Sequence, residues 1–422
     1  MFKEKSAETS IKKNIARFLF GGVCFYFSLS AAAAVNEITA VFKPDPANPL
    51  RNLFLNTTPN GHFCGSRPSF CKDRNLFSLR VNMPLEQTVG GKISAGHINE
   101  RLGAYLKAPS EWRSVEVHPP SGGPSERVEV RIAGIGGRHD LGARATELAP
   151  GGHSALWSIP SWASAPAPCS GSGSVWEGPD HSIFMWIVPE NTGSCSTQAK
   201  VDIPNFRYRY LEIMYELRTP NPLTMRTGTY VGTISYTLGP MMDFDLGDLV
   251  LPKDNTLQLN FTLDVQHSLK VEIPPGGNRV ELVPQGGWQA WLNQGRKPVR
   301  LFRDQTFNVS SSIRFKMQLE CQYTVGNTCA LRDTDSTDLV PLNTSVSLPN
   351  GLTDGSGQAV DRRPLRLDGS GTELFQPGFY VDRKPGTLHF EVTKEHVETI
   401  LREGVGKTYS GNVTVIWDSE LI

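Results

Sequence analysis

Between Leu257 and Val265 the chain places an apolar residue at every second position: Leu257, Leu259, Phe261, Leu263 and Val265. Side chains along a strand point alternately to opposite faces, so this run makes a strand with one buried face. It does not fit an amphipathic helix, whose apolar residues recur every three or four positions. Leu269, Val271 and Ile273 form a further run of the same kind, and 40 glycines and 30 prolines cut the rest of the chain into short alternating segments. That is how β-sandwiches read. Lys394 to Glu403 is the only good helical segment.

A chain of 422 residues is too long for one ordinary core, so two domains are expected. A strand pattern occurs twice, about 180 residues apart, as Tyr230-x-Gly232-x-Ile234-x-Tyr236 and Tyr409-x-Gly411-x-Val413-x-Val415-x-Trp417. Both copies put large apolar residues on one face, as a core-facing sandwich strand requires. The segment from Gly239-Pro240 to Asn255 is rich in turn residues, with Pro252-Lys253-Asp254 at its end, and reads as a linker. The expected organisation is an all-β chain of two immunoglobulin-like sandwich domains in tandem: a leader over 1–34, a first domain over 35–247, a linker over 248–255 and a second domain over 256–422.

The leader is read from Lys12, Lys13 and Arg17, the apolar run Phe18 to Leu29, and the alanines before Val35. A charged start, a short apolar core and a small-residue cleavage site make a secretory signal peptide. A membrane anchor needs roughly 20 apolar residues. Cys24 leaves with this segment, while Cys64, Cys71, Cys169, Cys195, Cys321 and Cys329 remain. An even number in an exported chain implies disulfides. Short loops close at least entropic cost, favouring Cys64 with Cys71, Cys169 with Cys195, and Cys321 with Cys329. Zinc is disfavoured, since no paired C-x-x-C and no histidine at ligand spacing stands near these cysteines. Lysine and arginine total 42 and acidic residues 42, so no overall field recruits nucleic acid or an anionic membrane.

Motifs of catalysis are missing: H-E-x-x-H, G-x-S-x-G and the Walker loop are all absent. Gly134-x-Gly136-Gly137 lacks the third glycine of a dinucleotide loop and reads as a turn. Asp333, Asp335 and Asp338 are acidic enough for calcium, but Cys321 to Asp338 reads more simply as a solvated loop closed by a bridge. No cofactor and no metal is expected. The first half carries a basic and aromatic set: Arg67, Arg74, Arg138, His139, Arg144, Trp157, Trp162, Trp176, Trp186, Arg207 and Arg209. Guanidinium meets carboxylate through two parallel hydrogen bonds, and an indole face stacks on a sugar ring. Trp186, between Ile183 and Val188, reads as core. Arg207 and Arg209 alternate with Phe206, Tyr208 and Tyr210, as on the outer face of a strand. Arg67, Arg207 and Arg209 are the candidates for receptor binding.

The last strand-like segment ends at Asp418, with four residues after it. In an immunoglobulin-like second domain this position implies that a closing strand is missing, leaving a groove along Val413, Val415 and Trp417. Such an edge aggregates unless another chain supplies the strand.

The chain resembles the CblD-like tip adhesins, or pilus biogenesis initiators, of class 5 and related chaperone–usher fimbriae. The resemblance rests on Tyr215-Glu216-Leu217-Arg218-Thr219-Pro220-Asn221-Pro222-Leu223-Thr224-Met225, Gly228-x-Tyr230-x-Gly232, Gly239-Pro240 with Asp243-Phe244-Asp245-Leu246-Gly247, and Tyr409-Ser410-Gly411-Asn412-Val413-Thr414-Val415. The stretch from Asn36 to Lys200, where a receptor site would lie, carries none of these motifs. The resemblance implies an adhesin domain followed by a pilin domain. A periplasmic chaperone donates a strand to the pilin domain and, at the outer-membrane usher, the extension of the next subunit, the major pilin, replaces it. It also implies that the chaperone holds the final carboxylate, here that of Ile422. Pro44 and Pro46 interrupt the weak alternation Ile38, Ala40, Phe42, so this chain lacks a donor strand of its own and belongs at the tip. Function is then expected to be initiation of pilus assembly and adhesion to a host glycan or glycoprotein, at the pilus tip outside the cell.

Three other readings have less support. A secreted carbohydrate-active enzyme needs a pair of carboxylates at one cleft, and none can be singled out. A glycosylated receptor has sequons at Asn56, Asn260, Asn308, Asn343 and Asn412, two of them within core-patterned strands. A non-adhesive initiator of assembly would share the second domain. The chain is therefore not expected to be an enzyme.

Overall fold

The computed structural model describes residues 34–81, 91–252, 254–401 and 407–419. The leader expected over 1–34 lies outside the described residues except for Ala34, and Ile422 lies outside them too. The chain is nearly all β. Its principal strands are β1 (Ala34–Phe42), β2 (Phe77–Arg80), β3 (Glu126–Asp140), β4 (Ser170–Glu177), β5 (His181–Ile187), β6 (Ile203–Arg218), β7 (Gly228–Thr237), β8 (Thr256–Val265), β9 (Leu269–Glu272), β10 (Leu301–Ser311), β11 (Lys316–Cys321), β12 (Thr328–Asp333), β13 (Leu339–Ser347), β14 (Val381–Val392) and β15 (Val413–Asp418). The expected helix forms over Lys394–Ile400. Short helices also form at His62–Ser66 (α1), Pro68–Lys72 (α2) and His153–Leu156 (α3), each too short for helical periodicity to show. Among the described residues no helix is long and apolar enough to cross a membrane.

Two hydrophobic cores organise these strands. The first draws Ile38, Phe42, Leu259, Phe261 and Leu263 from the sheet β7–β8–β1, and Ile135, Trp186, Phe206 and Ile213 from the sheet β2–β6–β3–β5–β4. The second draws Phe307, Val309, Leu388 and Phe390 from the sheet β9–β10–β14–β13–β12, and Met317 and Leu319 from β11, which pairs with β15. Both are sheet-on-sheet arrangements, with inner-face residues filling the space between layers. Cys64 is bonded to Cys71, Cys169 to Cys195 and Cys321 to Cys329, the pairing that short loops favour.

Leu257 to Val265 alternate buried and half-buried, as the sequence pattern requires. Their place differs from expectation. β8, expected to open the second domain, lies between β7, antiparallel, and β1, parallel, inside the first core. The segment read as a linker also packs there: Phe244, Leu246 and Val250 are buried in the first core, and the buried Asp245 carboxylate accepts both Nη groups of Arg101 and the backbone N–H of Met241 and Gly247. Its turn residues shape a folded crossover. The chain leaves the first core only after Val265, through Gln266, His267 and Ser268.

Gly134, Gly136 and Gly137 do not make a turn. They lie within β3, where a Cβ on Gly136 would strike the carbonyl of Phe184 on β5 and one on Gly137 the carbonyl of Tyr210 on β6. Glycine is used here because neighbouring backbones approach closely at a bulge. The loop expected from Cys321 to Asp338 contains β12, with Cys329, Ala330 and Asp333 buried. In the second copy of the repeated motif, Tyr409 and Ser410 pair with β12 while Val413 onward pairs with β11, so the copy breaks at Gly411 and Asn412.

Candidate functional site

β6 and β3 run antiparallel with Arg207 opposite Asp140 and Tyr210 opposite Arg138, and a bulge between Tyr208 and Tyr210. The pairing gathers three arginines around one carboxylate on the outer face of the sheet. Arg138 Nε donates to Asp140 Oδ1 at 2.7 Å, and Arg207 and Arg209 reach Oδ2 through Nε at 3.4 and 3.0 Å. Asp140 is only 8% exposed at its side chain, against 29%, 36% and 38% for the three arginines. The carboxylate thus anchors each guanidinium through its Nε, while the three side chains stay partly exposed. Preorganised guanidinium forks suit a carboxylate or similar planar anion. Arg207 and Arg209 were legible as an outer-face pair, whereas Asp140 was missed. The Arg138-His139-Asp140 triplet beside an alternating arginine strand was the available signal.

The remaining aromatics of the set lie beneath this patch. Trp157, Trp162, Trp186 and His139 are at most 1% exposed and belong to the core. The His139 ring lies 4.1 Å from that of Trp162 and 5.3 Å from that of Phe206, with Trp157 and Phe184 also around it. Neither His139 nitrogen, nor the indole nitrogen of Trp157 or Trp162, has a hydrogen-bond partner among the described residues. Burial holds this imidazole well below its ordinary range, and the charges of His153, His181 and Arg138 push the same way. Trp176 is the exception, 58% exposed on the outer face.

Arg67 stands elsewhere. It joins α1 to α2 within the loop closed by Cys64 and Cys71, exposed, and shares no hydrogen bond or ion pair with the cluster among the described residues. Arg74 lies over the Phe70 ring, and Arg144 pairs with Glu147. The disulfide loop is fixed from below: the buried Glu212 accepts the Phe63 N–H at 2.8 Å, and Ser78 Oγ accepts that of Cys64 at 3.0 Å. Replacing Glu212 with Ala strands a buried donor and is expected to cost about 1–3 kcal/mol of stability. Glu212→Gln keeps an acceptor and is expected to cost less, a difference read from urea midpoints at unchanged slope.

In the second core, β15 pairs with β11 from Lys316 opposite Asp418 to Cys321 opposite Val413. On its other edge no strand lies among the described residues. Val413, Val415 and Trp417 face the core yet are only half-buried, and the Trp417 ring meets Phe307 at 5.0 Å and Phe315 at 5.5 Å. Core-facing side chains on a strand are normally covered on both flanks. Here one flank has no covering strand among the described residues.

The main sheet of the second core also carries a serine, a histidine and an aspartate in a row. Ser347 Oγ lies 2.9 Å from His389 Nε2, and His389 Nδ1 lies 2.7 Å from Asp304 Oδ1. This spacing is that of a nucleophile, base and orienting acid. However, Ser347 Oγ also donates to Asp361 at 2.8 Å and accepts the Arg362 N–H at 3.0 Å. The hydroxyl is consumed in tying residues 361 and 362 to the sheet. Of the acidic trio, Asp338 is engaged by Lys407 and Tyr409, and Asp333 is buried.

No family model and no curated protein matches the chain. Among solved structures it is similar to a chain of the chaperone–tip adhesin complex of CFA/I fimbriae, at 10% identity and TM-score 0.24, covering 92% of this chain and 97% of that one. It is similar to CfaE, the adhesive subunit of CFA/I fimbria of enterotoxigenic Escherichia coli, at 11% identity and TM-score 0.25, covering 92% of each. A chain of the CsuC–CsuE chaperone–tip adhesion subunit complex of archaic Csu pili of Acinetobacter baumannii gives 10% identity and TM-score 0.20, covering 80% of this chain and 93% of that one.

Proposed function

We propose that this chain is the tip subunit of a chaperone–usher pilus, with an adhesive first domain spanning residues 35–265 and a pilin domain beginning at Leu269. The observation that carries the reading is the open flank of β15, where half-buried Val413, Val415 and Trp417 lie over a formed core. An unpaired apolar strand edge is an aggregation hazard unless a second chain adds a strand. A periplasmic chaperone would fill it first and the extension of a major pilin subunit at the usher afterwards. β1 supports the tip position. Its alternating residues Ile38, Ala40 and Phe42 are buried in the first core beside β8, so this segment is not available to complement a neighbour. The patch of Arg138, Arg207 and Arg209 would engage a host glycan. Non-adhesive initiation would not need guanidinium groups held ready around a buried aspartate.

Periplasmic co-expression with a fimbrial chaperone tests the assembly half of this reading. The expected result is a one-to-one complex on size exclusion and a several-fold gain in soluble chain. Val415→Asp, which puts a charge where the added strand would pack, should abolish the complex. Full solubility without the chaperone, together with no complex, would overturn the proposal.

A further inference from the structure

Gly239-Pro240-Met241-Met242 opens the crossover between β7 and β8 as a tight turn. The Met242 N–H donates to the Gly239 carbonyl at 3.1 Å, with Pro240 second in the turn and Met241 third. Met241 has φ 65°, in the left-handed region where the third turn residue is ordinarily glycine or asparagine. The fold supports this conformation through the backbone: Asp245 accepts the Met241 N–H at 2.8 Å, and Lys107 Nζ donates to the Met242 carbonyl at 3.1 Å. The two residues themselves stand out in solvent, 77% and 49% exposed. Of the eight methionines in the sequence, Met1 and Met83 lie outside the described residues, and Met185, Met214, Met225 and Met317 are at most 2% exposed. The turn is also remote from the second core. Thr237, just before it, pairs with Thr256 at the start of β8, and β8 runs ten residues, about 30 Å, before the chain leaves the first core.

We infer that Met241 and Met242 form an oxidant-sensitive modification site, converted to methionine sulfoxide by a peroxide with both cores left intact. This goes beyond the assembly and adhesive roles and does not depend on them. The thioether sulfur attacks a peroxide oxygen, an S–O bond forms and the O–O bond breaks. The leaving hydroxide takes the proton remaining on the transferred oxygen and departs as water. Methionine is oxidised by two electrons and the peroxide reduced by two. A bulky side chain in the left-handed region is strained, and glycine would serve the reversal alone. What methionine adds at this turn is an unhindered thioether. Sulfoxide is polar, so the modified turn shows solvent a polar surface where an apolar one stood. The four buried methionines are reached only when the fold opens, and the cores stay apolar. Methionine sulfoxide reductases, one for each epimer, reverse the change.

The test is timed exposure of the full mature chain to dilute hydrogen peroxide, followed by peptide mass mapping. Met241 and Met242 are expected to take up oxygen about tenfold faster, or more, than Met185, Met214, Met225 and Met317. In concentrated urea the six rates should converge, which assigns the selectivity to burial. Under the same native exposure, Met241→Leu combined with Met242→Leu should gain two oxygens fewer than the parent. The chain oxidised at the turn should unfold at the midpoint of the untreated chain, and treatment with both reductases should return its original mass. Equal native rates at the turn and at the buried methionines would overturn the inference. So would a midpoint lowered by several degrees when only Met241 and Met242 carry oxygen, since the turn would then be part of what holds the fold.

Discussion

Fusing a hydrophobic donor-strand peptide to the end of the chain through a short flexible linker raises the unfolding midpoint of the second core by about 10–20 °C. Completing the burial of half-covered Val413, Val415 and Trp417 contributes about 1 kcal/mol each, half of what full burial from water gives. The incoming apolar side chains add a comparable amount, for about 5 kcal/mol in all after ordering costs. For a domain of this size each kcal/mol moves the midpoint by about 2–4 °C. Differential scanning calorimetry of the fused and unfused chains reads the shift directly. A control peptide with Asp at the inward positions should give none. Equal midpoints for the donor and control fusions would mean that the open flank of β15 does not accept a strand.

The second large effect concerns acid. His139 is fully buried, with neither ring nitrogen bonded among the described residues, and its folded-state value is depressed first by burial and then by His153, His181 and Arg138. In the unfolded chain the same imidazole titrates near 6.5. Below about pH 6.5 the unfolded state therefore binds a proton that the folded state refuses. Stability is lost by about 1.4 kcal/mol per pH unit as pH falls towards the folded-state value. Two further histidines stand close to this ring. His153 bridges Ser182 and the Gly178 carbonyl, and His181 holds Asp180. Arg138 and Asp140 flank His139 in sequence but project to the other face of β3. His139→Phe should remove this residue's share of the slope. At neutral pH it should also stabilise the first core by about 1 kcal/mol or more, since two unsatisfied polar atoms leave an aromatic cage. Guanidinium unfolding at pH 7 and pH 5, followed by tryptophan fluorescence, checks both. An unchanged slope in the variant would mean that His139 is not the source of the acid response.

Strands were legible wherever the physics was local. The alternation from Leu257 to Val265 foretold which face of β8 is buried, and loop length foretold the disulfide pairs. The boundary was not legible, because Gly239-Pro240 and Pro252 are turn residues whether the turn lies in a linker or on a folded crossover. Only the burial of Phe244, Leu246 and Val250 distinguishes them. Gly134, Gly136 and Gly137 misled for a related reason: glycine marks close backbone approach as well as reversal, and the approaching backbones come from β5 and β6, far along the chain. The arginine cluster was half-legible. Alternation put Arg207 and Arg209 on an outer face, but their meeting with Arg138 around Asp140 depends on the register between β6 and β3 and on a bulge. Arg67, chosen for its charge and its place in the first domain, lies on the disulfide loop, away from that register.

The passage from first core to second has a mechanical meaning. Gln266 donates to the Phe42 carbonyl at 2.8 Å, His267 contacts the Met225 carbonyl at 3.0 Å and Ser312 Oγ at 3.2 Å, and Ser268 donates to that same oxygen at 3.0 Å. No slack separates the cores. The covalent path from the second core enters the first at Val265, the last residue of β8. That strand is held by ten register pairs to β7 and nine to β1. Force applied along a strand loads such ladders in shear, so the pairs resist together rather than peeling apart one by one. A tether attached here would withstand tension that a flexible linker at 248–255 would have spent on extension.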